Sequence, residues 1–517
     1  MQIESFLEES ALRTPSKTAL VCGERRLTYA EVDEMANRLG NGLLNHGVQR
    51  GDRVAVFMEN SVEAVISIFA ILKAGAVFTV INPAFQAAKV AYILNHSGVV
   101  AVLSSASCFQ VLHHAIRSVS NPLTIWVTGE VDLQSSSIRK VVSLDQALLD
   151  KTCDRTQPPK SCIDIDLAAL IYTSGSVGVP KAVAMTHLNL GSATSSIVTY
   201  LEHTADDVIL SILPLSFSYG LGQVMVAFKS GATLILERSL VYPHKVLETM
   251  VRERVTGLPL VPTAAAILLQ LDLSGYDLSS LRYLTSASAV LPCTQIAKLR
   301  RLLPAVRIYS MYGLTECNRV SYLPPEQIDI RPGSVGKGMP NQEVYIVDEN
   351  GVRVGPGIVG ELVVRGSSVM GGYWNDLDET RRRLKWGPHP WERVLYTGDL
   401  FRADSEGFLY FVARKDDIIK TRGEKVSPRE IEEVLYNLEG IAEAVILSTP
   451  DPILGNAIKA VVTLRPGANI TRADIKRHCA RNLDTCRIPK KIEIREQLPK
   501  NENGKINRKE LVLTCTA

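Results

Sequence analysis

The segment Tyr172-Thr173-Ser174-Gly175-Ser176-Val177-Gly178-Val179-Pro180-Lys181 has the residue types to hold an oligophosphate. Its glycines let the backbone turn through positive φ and bring N–H groups close to an anion. The hydroxyls of Thr173, Ser174 and Ser176 add donors, and Lys181 adds a point charge suited to phosphate. It is not a Walker A loop: Pro180 stands where that motif has glycine before its lysine, and Ala182 replaces the following Ser or Thr. Alone, such a loop is equally a surface turn. Four later segments give it weight. Ser310-Met311-Tyr312-Gly313-Leu314-Thr315-Glu316 sets an aromatic, a hydroxyl and a carboxylate around a glycine turn, and Tyr396-Thr397-Gly398-Asp399-Leu400 places a carboxylate just after a tight turn. Arg414-Lys415-Asp416-Asp417 followed by Lys420-Thr421-Arg422-Gly423-Glu424-Lys425 is a charged elbow, and Leu498 to Ile506 carries Lys505 beyond a polar turn.

Residues so far apart need a large scaffold. The apolar run Leu167 to Ile171 reads as the strand that leads into the glycine-rich loop. Upstream, Thr28-x-x-Glu31 is a capping box opening an amphipathic helix that closes near Gly47. Val54–Met58, Ala76–Ile81 and Val99–Leu103 read as strands, with helices over Val62–Leu72 and Lys89–Asn95. This βαβα rhythm predicts a mostly parallel sheet with helices on both faces. A second βα series runs from Val208 to Pro304. From Gly333 the runs are short and β-like (Glu343–Val347, Gly360–Val364, Phe408–Val412) between glycine turns, which predicts a β-rich subdomain. Beyond Asp416, a helix over Pro428–Asn437, strands near Ala442–Ile446 and Ala460–Thr463, a helix over Arg472–Arg481 and a last strand over Lys491–Ile494 make a small α+β unit. The predicted fold is therefore α/β. A large N-terminal region, residues 1–415, holds two βα-layered subdomains and a β-rich one, and residues 416–517 form a small mobile lid.

The 517 residues exceed a single compact core, and 46% apolar with 21% charged residues is globular composition. A net charge of +3 does not favour a nucleic-acid surface, and Arg381-Arg382-Arg383 reads as a solvated face. The nine cysteines are scattered without a CxxC pair, which suits a reducing cytoplasm and offers no disulfide framework or zinc site. No signal peptide is evident at Met1 to Arg13. The longest apolar stretch, Ala64 to Ile81, is broken at Lys73-Ala74-Gly75, so a buried helix and strand account for it better than a membrane span. No integral membrane association is expected.

In their order, the five segments resemble the adenylate-forming superfamily of acyl-CoA synthetases, peptide-synthetase adenylation domains and luciferases. The resemblance runs from Leu27-Thr28-Tyr29 to Lys505. It implies an enzyme that uses ATP and Mg²⁺ to convert a carboxylic acid to an acyl-adenylate, then passes the acyl group to a thiol. On this resemblance Thr173, Ser174, Gly175, Ser176, Gly178 and Lys181 cradle the β- and γ-phosphates. Tyr312 stacks on adenine, with Ala287, Ser288 and Ala289 as the opposite wall. Thr315 contacts the α-phosphate and Glu316 helps to hold Mg²⁺. Asp399 accepts both ribose hydroxyls, and Arg414 is a second ribose or phosphate contact. Lys505 bridges the acid and the α-phosphate, where one well-placed donor is worth roughly 3 kcal/mol or more. A hinge at Asp416 then swings Gly423 beside the pantetheine channel. Val177 and Ala182 depart from the pattern, which has a hydroxyl and a glycine there.

The acid is expected near Phe217, Ser218, Gly220 and Met311. Amino-acid-activating domains carry aspartate where this chain has Ser218, and a buried ammonium without a carboxylate is costly. Many acyl- and aryl-CoA synthetases have histidine where this chain has Phe217. Arg319 reads first as structural, with a place at the pocket rim as the alternative. The leading expectation is a ligase of acyl or aryl acids, from fatty-acid or secondary metabolism, with CoA or a carrier protein's phosphopantetheine as acceptor. Two alternatives stand beside it: a stand-alone amino-acid adenylating enzyme that loads a peptidyl carrier protein, and a degenerate nucleotide- or acyl-binding sensor. With Ala517 closing the chain soon after Lys505, a carrier protein is expected to act in trans.

Overall fold

The computed structural model describes residues 2–511 apart from 122, 132–140, 150–153, 174–179, 239, 422–423, 452–454, 486, 501–505 and 509. Two predominantly parallel sheets form its centre. In the first, Val141–Ser143, Thr124–Thr128, Val99–Ser105, Arg53–Phe57, Val77–Val80 and Leu167–Thr173 run side by side in parallel. Lys181–Thr186 and Gly372–Tyr373 then extend that edge antiparallel. In the second, Thr18–Cys22, Thr233–Leu236, Val208–Ser211, Gly257–Leu260, Tyr283–Ser286 and Arg307–Tyr312 are parallel. Their near-continuous Val, Ile and Leu runs suit strands covered on both faces.

The helix Val62–Lys73 shows why the long apolar stretch stays inside. All twelve of its residues are buried, with Ser61 capping its start and Gly75 turning the chain at φ 73° into the next strand. Of its two charges, Glu63 pairs with Arg25, and Lys73 pairs with Glu8 and Asp33 and donates to Asn37 Oδ1, so a buried ammonium is fully engaged. The predicted capping box is present: Thr28 accepts from the Glu31 amide, and Glu31 accepts in return. No helix among the described residues is long and apolar enough to cross a membrane.

The predicted β-rich texture is a third, antiparallel sheet of Gln342–Val347, Gly360–Gly366, Arg393–Ala403, Leu384–Trp386 and Leu409–Arg414. The C-terminal domain follows a short turn at Lys415–Asp417. It has a hairpin of Ile419–Thr421 and Glu424–Val426 and a sheet of Ile441–Asp451, Gly455–Leu464 and Lys491–Arg495. Two helices, Pro428–Tyr436 and Arg472–Asn482, cover it over a separate core that includes Ile431, Leu435, Ile458 and Ile475. A small region with its own apolar core can hold its shape without the larger one.

Candidate active site

The strands on either side of the glycine-rich segment pair with each other. Leu167–Thr173 and Lys181–Thr186 pair antiparallel with Thr173 opposite Lys181. Ser174, Gly175, Ser176 and Gly178, like Val177, lie outside the described residues. Lys181 Nζ pairs with Glu379 Oε2 at 3.1 Å and stands 5.7 Å from the Tyr373 ring centre.

Three predicted residues, one from each of three segments, meet at the third sheet. Tyr312 donates its hydroxyl to Asp399 Oδ2 at 2.6 Å, and Arg414 Nε lies 3.5 Å from Asp399 Oδ1. Asp399 and Arg414 are register partners on neighbouring strands. Asp399 is only 5% exposed, and burial, outweighing Arg414 and the Tyr312 hydroxyl, raises its carboxyl above the usual value. Burial, reinforced by the Asp399 charge, also pushes the Tyr312 phenol well up, so it remains a donor. Asp399 does not follow a tight turn as expected. It lies inside the strand Arg393–Ala403, where Gly398 at φ 75° kinks the backbone. A kinked strand buries the carboxylate, whereas a loop would solvate it.

Glu316 has a partner that the sequence did not reveal. Its Oε1 accepts the Tyr373 hydroxyl at 2.6 Å, and its backbone carbonyl accepts the Met370 amide. Burial first, then the Glu316 charge, pushes the Tyr373 phenol up. The arginine run is also corrected at one position. Arg381 and Arg382 are exposed, but Arg383 donates to the Thr397 carbonyl at 2.8 Å and to Glu379 at 3.3 Å. A side chain on Gly398 would collide with Arg383 Nη1, so this glycine serves both the kink and the close approach. Tyr373, Glu379 and Arg383 thus link Lys181 and Glu316 in one charged cluster. The Gly371-Gly372-Tyr373-Trp374 run, two glycines before two aromatics, was the available signal for Tyr373.

This cluster fits a magnesium ion accompanied by phosphate. Mg²⁺ usually takes one or two carboxylates and fills its remaining positions with water and phosphate oxygens. Glu316 would supply one carboxylate, its Oε1 already accepting the Tyr373 hydroxyl. Among the described residues there is no cluster of three metal-ligating side chains that would make a metal cage of protein alone.

Of the residues expected at the acid site, Ser218 lies closest to this cluster, through Thr315. Ser218 opens the helix Ser218–Ser230 after Phe217, and its Oγ lies 3.4 Å from Thr315 Oγ1. Gly220 is tightly constrained, since a side chain would collide with the Pro214 carbonyl oxygen. Tyr219 reaches Thr285 Oγ1 at 2.7 Å, and Met311 Sδ accepts the Tyr200 hydroxyl at 3.1 Å. Ala287, Ser288 and Ala289 follow the strand Tyr283–Ser286, whose Ser286 pairs with Ser310; Ala287 is buried and Ser288 turns at φ 72°. Asp416 is exposed in the Lys415–Asp417 turn, while Gly423 and Lys505 lie outside the described residues.

Known proteins share this chain's sequence and fold over most of its length. The model of the AMP-binding enzyme family matches residues 7–374, and that of the AMP-binding enzyme C-terminal domain matches residues 430–505. A long-chain-fatty-acid–CoA ligase of Bacillus subtilis is 31% identical, the match covering 99% of this chain and 94% of the relative. Tyrocidine synthase 1 of Brevibacillus parabrevis is 30% identical over 98% of this chain and 44% of its own length. The crystal structure of the anthranilate CoA ligase AuaEII with anthranoyl-AMP superposes with a TM-score of 0.91 at 27% identity, covering 100% of this chain and 97% of that one. The chain belongs to the AMP-binding enzyme family and is an AMP-forming acid–thiol ligase, using ATP to convert a carboxylic acid to an acyl-adenylate before a thiol takes the acyl group.

Proposed function

We propose that this ligase activates an acyl or aryl acid at the site between Ser218 and Thr315 and delivers it to CoA in the cytoplasm. The observation that supports the residue assignment is the convergence of distant segments: Tyr312 on Asp399, Arg414 on Asp399, Ser218 on Thr315. Asp399 accepts the ribose hydroxyls, Tyr312 and the Ala287–Ala289 turn flank adenine, and Thr173 and Lys181 meet the polyphosphate with the loop between them. Bound Mg²⁺ at Glu316 supplies positive charge against the phosphate oxygens. Thr315 faces the α-phosphate and Lys505 holds the acid's carboxylate against it. The carboxylate oxygen forms a bond to the α-phosphorus as the bond to pyrophosphate breaks. The thiol then attacks the acyl carbon, loses its proton, and AMP leaves.

We place the domain boundary at Asp416, with residues 1–415 carrying nucleotide and acid sites and residues 416–517 presenting Lys505 for the first half-reaction and Gly423 for the second. An α-amino acid is disfavoured because Ser218 meets a hydroxyl where an ammonium needs a carboxylate. A carrier protein is the second acceptor to test, since the peptide-synthetase relative aligns over almost the whole chain. ATP–pyrophosphate exchange with fatty, aryl and amino acids, followed by transfer to CoA or phosphopantetheinylated carrier, decides both. Exchange restricted to amino acids would overturn the acid assignment, and transfer to carrier without transfer to CoA would overturn the acceptor.

A further inference from the structure

Arg319 is 4% exposed, and its Nε has no hydrogen-bond partner. Among the described residues no carboxylate pairs with it; the guanidinium instead lies over the Tyr219 ring, with Cζ 4.8 Å from the ring centre. Arginine keeps its charge at physiological pH, so it cannot escape the cost of burial by losing a proton. The neighbouring Asn318, at φ 63°, carries a buried amide oxygen that also lacks a donor. Arg319 N donates to the Cys317 carbonyl at 2.7 Å, closing a tight turn that holds both side chains inside.

These orphaned groups lie beside residues of the proposed acid site: Arg319 stacks on Tyr219, the neighbour of Ser218. Arg319 Cδ lies 3.5 Å from the position a Cβ would take on Gly313, two residues before Thr315. Across from them is the helix Ser218–Ser230, which carries Ser218 and Tyr219. Its buried Gly222 leaves a gap there: around the place of its missing Cβ, Asn318 Oδ1 at 3.8 Å is the one heavy atom within 4 Å outside the helix backbone and chain neighbours. A charge without a counter-ion, an amide without a partner and a space without a side chain therefore occupy one face. A purely structural arginine would be expected to reach a carbonyl or carboxylate of its own chain.

We propose that Arg319, with Asn318 beside it, receives a second carboxylate on the acid, so that the substrate is a dicarboxylic acid activated at one end and held by an ion pair at the other. This rests on the assignment of the acid site made above. The planar fork of arginine matches a carboxylate with two parallel hydrogen bonds. A methyl-ended acid in the same place would leave the guanidinium buried and unpaired, so discrimination is built into the site.

The test is ATP–pyrophosphate exchange with dicarboxylates and methyl-ended monocarboxylates paired by length, and with benzoate against its carboxybenzoate isomers. Wild type should favour the best dicarboxylate over its partner by about 100-fold in kcat/KM. Arg319→Met should abolish that preference mainly through KM while ATP affinity is retained, and Arg319→Lys should restore part of it. Monocarboxylates used as well as dicarboxylates by wild type, or a preference unchanged in Arg319→Met, would overturn the proposal and leave the ligase assignment intact. Exchange with no acid of either kind would instead overturn the assignment of the acid site, and this inference with it. Should Arg319→Met fail to fold, the wild-type ratio alone decides.

Discussion

In the proposed site Asp399 combines two roles that pull against each other. Its carboxyl is held above the ordinary value of 3.8 chiefly by burial. The folded protein therefore keeps this proton to higher pH than the unfolded chain does. That contribution to stability is complete below the unfolded value and is lost as pH rises through the folded one. Nucleotide binding has the opposite need, because ribose hydroxyls donate best to the ionised form. KM for ATP should thus rise as pH falls through the raised carboxyl value. Asp399→Asn keeps an acceptor for the Tyr312 hydroxyl and removes the buried charge, so it should melt no lower than wild type at neutral pH. It should also raise KM for ATP by about 10-fold or more, since hydrogen bonds to a charged group are replaced by neutral ones. A variant with unchanged KM and an unchanged pH profile would leave Asp399 a structural residue of its strand.

At the scale of elements, the proposed acid site depends on how closely the helix Ser218–Ser230 approaches the chain that precedes it. Gly220 lies against the Pro214 carbonyl oxygen, with no room for a Cβ. Gly220→Ala must push the helix start away from Leu213–Ser216 and carry Phe217 and Ser218 with it. Overpacking of this kind costs roughly 1–3 kcal/mol. The acid should feel it first: KM for the acid should rise while KM for ATP holds, because Asp399 and Arg414 belong to another sheet. Equal loss for both substrates would show that the clash spreads through the core and does not report on the acid site.

At the scale of the molecule, the proposed cycle uses two faces of the C-terminal domain. That domain meets the third sheet through Ser427 Oγ, which donates to the Val412 carbonyl at 2.7 Å, and Arg429 Nη1, which donates to the Phe411 carbonyl at 2.5 Å. Polar contacts of this kind hold less firmly than an apolar seam, which suits a unit that must change orientation. Lys505→Ala should reduce pyrophosphate exchange by about 100-fold or more, as loss of a preorganised donor does. ATP binding and thioester formation from supplied acyl-adenylate should remain; near-normal exchange would remove Lys505 from the mechanism. Gly423→Leu should leave exchange close to wild type and block thioester formation with any thiol. Parallel loss of both half-reactions with a lowered melting temperature would mean that this glycine serves only the local fold.

Much of the fold was legible because periodicity and punctuation are local. The run Val62 to Leu72 before Lys73-Ala74-Gly75 reads better as a buried helix with a glycine stop than as a membrane span, and the Thr28–Glu31 capping box reports on its own four residues. The order of five short segments sufficed to indicate the family, since each keeps its own residue types whatever surrounds it. The sequence by itself therefore determined the fold class and the list of groups available for chemistry. Which of them meet was decided by tertiary structure. Arg383 looks like its exposed neighbours until the strand kink at Gly398 offers it the Thr397 carbonyl. Tyr373 becomes a partner of Glu316 only because the strand Gly372–Tyr373 joins the edge of the Lys181–Thr186 strand. Arg319, read first as a structural residue, turns out to be buried without a counter-ion. Burial and the absence of a partner are properties of the space around a side chain, and that space is assembled from segments distant in the chain.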